Sequence, residues 1–219
     1  MLSSQVTFLL AISCIVPAVI GLFIYSGIEK KFRPFIYIMW LVAITELIAR
    51  LGNILRQKII TATAYNTSFL ITIILFVLFF FNVQVIKNKR LAYLLIALSF
   101  LAWVAAWVYY KSWLITFVFY YMFIGIVVVA LSVELLNRQV FKLKMSPYRN
   151  FLFLIPATLI LHFGVYIFVT TSMMLGTIDP ELRGRLFSIF MIVNACSYLL
   201  YAYAMLCLPK LSVANSEPY

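Results

Sequence analysis

Seven long apolar runs fill this 219-residue chain, and their length decides the class of fold open to it. A helix crossing the hydrocarbon core of a bilayer needs about 20 predominantly apolar residues. Runs near that length occupy residues 6–25, 35–54, 69–86, 91–110, 113–136, 151–173 and 186–208. A transmembrane β-barrel does not fit, because barrel strands are far shorter and alternate apolar with polar residues. A soluble fold does not fit either. The chain is 66% hydrophobic and 11% charged, and a soluble domain of this size has too little interior to hide that surface. The expectation is an all-α, polytopic membrane protein: a seven-transmembrane-helix bundle. Residues 1–210 form its single membrane domain and residues 211–219 a short cytoplasmic tail.

The formal net charge of +11 points to topology and not to nucleic acid, because Lys and Arg sit in short segments between the runs. Lys30, Lys31, Arg33, Lys87, Lys89, Arg90, Arg138, Lys142, Lys144, Arg149 and Lys210 fall on one side. Arg56, Lys58, Lys111, Arg183 and Arg185 fall on the other. The positive-inside bias then places the amino terminus outside and the carboxyl terminus in the cytoplasm, with the protein in the cytoplasmic (inner) membrane. Residues 1–5 carry no basic charge, and the first run ends Ile24-Tyr25-Ser26 without a small-residue cleavage site. It reads as a retained helix rather than a removed signal peptide. Cys14, Cys196 and Cys207 lie inside apolar runs without metal-ligand spacing and read as packing residues. No internal repeat of the kind that builds many transporters is visible.

An ionisable group inside a span is costly, and it persists where it has a partner, a wet cavity or a role. Glu46 falls near the middle of the second run, with Arg50 one turn and about 6 Å further out. Side chains at i and i+4 face one another, so the two can pair. Two roles stay open for the pair: a clasp that pins the second helix to its neighbours, or the charged wall of a ligand or ion cavity. Asn53 continues the same face.

His162, the one histidine, lies near the middle of the sixth run. It is either a hydrogen-bonded packing residue or, should it meet Glu46, part of a proton-sensitive site. In the seventh run Asn194, Ser197 and Tyr198 suit bonds between helices. No lysine precedes Lys210 there, which excludes a retinal Schiff base on that helix. Trp103, Trp107, Tyr109, Tyr110, Trp113, Tyr120 and Tyr121 crowd the outer half. They form an interfacial belt, or Trp103 and Trp107, with Tyr120 or Tyr121, wall an outward-opening apolar pocket. At the cytoplasmic ends Asn82, Gln84, Glu134, Asn137 and Arg138 are set for a polar network, with Glu134 and Arg138 four residues apart.

Catalytic constellations are missing: no HExxH, no GxSxG, no Gly-rich phosphate loop and no selectivity-filter signature. Asp179 and Glu181 share a loop with Arg183 and Arg185, which balance them. Neither a cofactor nor a metal is expected.

Thr45-Glu46-Leu47-Ile48 in the second run, Tyr65-Asn66 opening the third, and Ser146-Pro147 before the sixth resemble the pattern of a family of small seven-helix bacterial integral membrane proteins. The likeness extends from about Phe35 to Cys207. It departs at Thr72, where the family often carries glutamate, and around Asn150, where it frequently has tryptophan. That family, which has no established activity, is similar to the membrane sensor parts of bacterial signalling systems. The resemblance therefore implies the seven-helix fold and a sensor role.

The functional expectation is a non-enzymatic sensor or accessory subunit that binds an apolar or amphipathic ligand in the outer half of the bundle. Glu46, Arg50, Asn53, Trp103, Trp107, Tyr121, His162 and Asn194 are the candidate ligand-binding residues. The expected partners are the lipid bilayer and a cytoplasmic or membrane signalling protein, engaged through the basic segment 137–150. A small-solute or proton-coupled transporter or channel is the alternative, and an intramembrane lipid enzyme a third possibility.

Overall fold

A computed structural model of the protein describes residues 6, 9, 10, 12–112, 115–140, 147–174 and 179–208. Seven α-helices follow one another along them: α1 (Ile15–Ile24), α2 (Arg33–Ile54), α3 (Lys58–Asn82), α4 (Lys89–Tyr110), α5 (Val118–Val140), α6 (Phe151–Met174) and α7 (Pro180–Leu206). The hydrocarbon interior offers backbone N–H and C=O groups no partners, so apolar runs of this length satisfy them within a helix. Helices α2 to α7 are long and apolar enough to cross a membrane. The first is shorter, flanked by 3-10 turns at Ile12–Cys14 and Tyr25–Gly27. The protein is thus an all-α bundle of the multi-pass membrane class.

Six helices close a ring. α1 packs on α2 and α7, α2 on α3, α3 on α5, α5 on α6, and α6 on α7. α4 stands outside, against α3 and α5, and of its residues only Ala92 and Ser99 are buried. Glycine lets α2 and α3 close on one another near their turn: a Cβ at Gly52 of α2 would fall 2.7 Å from Thr61 Oγ1 and 3.1 Å from the Thr61 backbone nitrogen.

Helix ends depart from the run boundaries for a recognisable reason. α2, α3 and α4 are each followed by a non-glycine residue in the left-handed region: Arg56 (φ 56°), Gln84 (φ 64°) and Lys111 (φ 50°). After α2, the Gln57 N–H bonds the Gly52 carbonyl at 2.8 Å and the Arg56 N–H bonds the Asn53 carbonyl at 3.1 Å. After α3, Val85 and Gln84 bond the carbonyls of Phe80 and Phe81 in the same way. Both are Schellman closures, usually marked by glycine, so the sequence carries no visible stop signal here. The third span, expected over 69–86, instead starts at Lys58 and ends at Asn82. Tyr65 and Asn66 therefore lie inside α3 and do not open it. The seventh, expected from residue 186, starts at Pro180 as its first-turn proline. Arg183 and Arg185 thus belong to a helix, and Arg185 pairs with Glu181 at 2.6 Å. The fifth helix begins at Val118; Trp113, Lys142, Lys144, Ser146, residues 1–5 and the tail from 209 onward lie outside the described residues.

The two ends of the ring differ. At the end carrying the α1–α2 turn, Phe35 packs at 5.6–5.7 Å ring separation on Phe79, Phe151 and Tyr201, and all four are buried. Below this aromatic floor sits the polar network anticipated from sequence. Arg138 Nε donates to Glu134 at 2.7 Å, and its Nη1 donates to the Gln84 carbonyl at 2.6 Å, tying α5 to the end of α3. Asn82 Nδ2 reaches the Lys31 carbonyl at 3.4 Å. The other end, carrying the α2–α3 turn, opens into a cavity.

Candidate functional site: a cavity inside the ring

Glu46 stands eight residues before the last of α2, about 12 Å from that end. Arg50 Nη2 lies 2.9 Å from Glu46 Oε1. Tyr65, from α3, donates its hydroxyl to Glu46 Oε2 at 2.8 Å. Each carboxylate oxygen is thus engaged, one by charge across a single turn and one by a neighbouring helix. A charge-assisted bond of this kind is roughly twice as strong as a neutral one.

This cluster forms one wall of a cavity of about 450 Å³ in the half of the ring away from the aromatic floor. α2, α3, α5, α6 and α7 of the ring contribute, together with Cys14 just ahead of α1. Apolar surface comes from Val42 of α2 and from Phe187, Phe190 and Met191 of α7. An aromatic wall joins three helices: Tyr121 of α5 stacks on Phe69 of α3 at 4.2 Å and meets Tyr166 of α6 edge-on at 4.5 Å. Mostly apolar walls with a few convergent polar groups are the usual make-up of a small-molecule site.

His162, Asn194 and Tyr198 line the same cavity. The His162 ring lies edge-on to Tyr198 at 5.9 Å, and its Nδ1 has no hydrogen-bond partner among the described residues. The structure therefore gathers Glu46, Arg50, Tyr121, His162 and Asn194 around one space.

Three other candidate residues go elsewhere. Asn53 is exposed at the α2–α3 corner, where its Oδ1 lies 3.2 Å from the Thr61 hydroxyl. Trp103 donates to the Asn66 carbonyl at 2.9 Å and packs on Phe100 and Phe117. Trp107 is 42% exposed on the outside of α4. Both tryptophans miss the cavity for one reason: α4 is not in the ring. Asn66 explains the position of Trp103. It is fully buried, and its side chain bonds the Ile115 carbonyl at 3.0 Å and the Phe117 N–H at 2.8 Å. The tryptophan completes a lock that holds the segment leading into α5.

Tyr65, Phe69, Tyr166, Phe187 and Phe190 were not singled out as cavity residues. Phe69, Tyr166, Phe187 and Phe190 carry no distinguishing signal among the 20 Phe and 14 Tyr. Tyr65 does carry one, as a Tyr-Asn pair amid hydroxyl residues ahead of an apolar run. Chemically the cavity can hold an apolar body and hydrogen-bond a polar head. No protein-family model matches the chain, and no curated protein or solved structure matches it. The fold and the cavity are what define its class.

Proposed function

We propose that the protein is a non-enzymatic sensor or accessory subunit of the cytoplasmic membrane. It binds an amphipathic small molecule in the ring cavity and passes occupancy to a partner through its basic cytoplasmic end. The cavity carries this proposal: it combines aromatic walls with a self-neutralised Glu46–Arg50–Tyr65 cluster and lies above a packed floor of Phe35, Phe79, Phe151 and Tyr201. A continuously open pore needs a polar route through that floor, so its packing counts against an open channel. The positive-inside rule supports the assignment of the α2–α3 end to the outside.

Thermal unfolding of the purified protein against 1-dodecanol, dodecanoate and dodecyltrimethylammonium tests this. At least one is expected to raise Tm saturably, and Met191→Trp, which fills the cavity, is expected to abolish the shift. Absence of any saturable shift, or proton flux in proteoliposomes above that of empty vesicles, would overturn it.

A further inference from the structure

The wall between the cavity and the surrounding lipid has one thin place. On the flank of the bundle α2 and α3 leave a groove of about 460 Å³, and Thr45 and Ser68 form part of its lining. The same two residues line the inner cavity. Both are buried, so at this point one small side chain from each helix separates inside from outside. Neither hydroxyl ties the two helices together; the bonds that do, Tyr65 to Glu46 and Thr61 to the Ala49 carbonyl, lie on the side toward the α2–α3 turn. Thr45 donates to the Leu41 carbonyl at 2.7 Å on its own helix, and Ser68 to that of Tyr65 at 3.0 Å. The groove itself is apolar at its rim, with Ile44 and Ile59 more than half exposed to the bilayer side.

The polar lining bears on what the cavity can hold. His162 is 7% exposed, lines the cavity, and leaves Nδ1 without a partner among the described residues. Nδ1 itself is closed off from the cavity, so the ring contributes to the lining through its other atoms. The charges lining the cavity restrict what that head can be. Both Glu46 oxygens are engaged, by Arg50 and by Tyr65, so the pair presents no net charge to an ionic guest. An ion would give up its hydration without a counter-charge in return, whereas a hydroxyl or carbonyl only needs a hydrogen bond.

We propose that the cavity takes a neutral amphiphile, an apolar chain bearing a hydroxyl or carbonyl head, which reaches it from the bilayer by parting α2 and α3 at Thr45 and Ser68. This rests on the cavity being a ligand site, as proposed above. The head lies among the polar lining residues His162, Asn194 and Tyr198, and the chain along the aromatic wall.

The test uses the full-length protein in nanodiscs of phosphatidylethanolamine and phosphatidylglycerol. A twelve-carbon alcohol carrying a diazirine is photolysed at timed intervals, and its adducts are mapped by mass spectrometry. Adducts are expected on cavity residues of α6 and α7. 1-Dodecanol should compete at least about tenfold better than dodecanoate or dodecyltrimethylammonium. Ser68→Phe and Thr67→Trp should each slow labelling by about fivefold or more, as obstruction of a gating step does. Thr67 is exposed in the groove, so the second variant adds bulk outside the packed bundle and guards against misfolding of the first. Wild-type labelling rates in both variants would overturn the route but leave the cavity as a site. Equal competition by the ionic amphiphiles would overturn the neutral head. Absence of cavity adducts in the wild type would overturn the site itself.

Discussion

At Glu46 three side chains from two helices settle one charge. Removing one member of a fully buried ion pair costs about 3–5 kcal/mol, because the other charge is left uncompensated. Here Arg50 and Glu46 side chains stay 24% and 20% exposed, so solvent screening lowers the expected cost to about 1–3 kcal/mol. Glu46→Gln and Arg50→Gln are each expected to lower Tm in detergent, and the double variant to recover most of the loss. Additive losses in that cycle would mean that the two groups act separately. The i,i+4 pairing was legible in the sequence, because helix geometry alone brings Glu46 and Arg50 together. The Tyr65 contact was not, since it spans 19 residues and depends on how α3 is turned against α2.

At the scale of elements, two glycines separate packing from mere composition. Gly52 sits where α3 crosses so close that a Cβ would press on the Thr61 backbone, whereas nothing lies within 4 Å of a Cβ at Gly164 of α6. Gly52→Ala is expected to lose about 1–3 kcal/mol by forcing the α2–α3 corner apart. Gly164→Ala is expected to be neutral or to gain up to about 1 kcal/mol from helix propensity. Chemical denaturation of both variants checks the contrast. The helical elements of the described residues, six of them long enough to span and one shorter, were legible, because apolar runs of bilayer length leave few alternatives. Their ends were less so. The start of α3 at Lys58 is hidden in a polar stretch rich in threonine, a β-branched residue of modest helix propensity. It is helical because Thr61, Tyr65 and Asn66 find partners on α2 and around Phe117.

For the whole molecule, the ring with one helix outside is the decisive arrangement. It puts a floor under the cavity, a thin seam on its flank, and α4 on the periphery. The proposed orientation sets the open end of the cavity outside the cell. On intact cells a membrane-impermeant maleimide is then expected to label Lys58→Cys and to leave Lys87→Cys unlabelled until the cells are opened, measured over the background of the native cysteines. The reverse pattern would invert the bundle and place the cavity mouth in the cytoplasm.

The sequence by itself determined the solvent, the helical class and the positions of the costly polar residues. These follow from local properties: run length, hydropathy, and which side chains lie one turn apart. Only the tertiary structure decided which of those residues share a space. Glu46, Arg50, His162 and Asn194 converge because α2, α6 and α7 all belong to the ring. Trp103 and Trp107, equally prominent in the sequence, fall outside because α4 does not. Every apolar helix satisfies its own backbone and is compatible with lipid on any face, so hydropathy does not say which face turns inward. Close approaches such as Gly52 on Thr61 and long-range bonds such as Tyr65 to Glu46 make that choice.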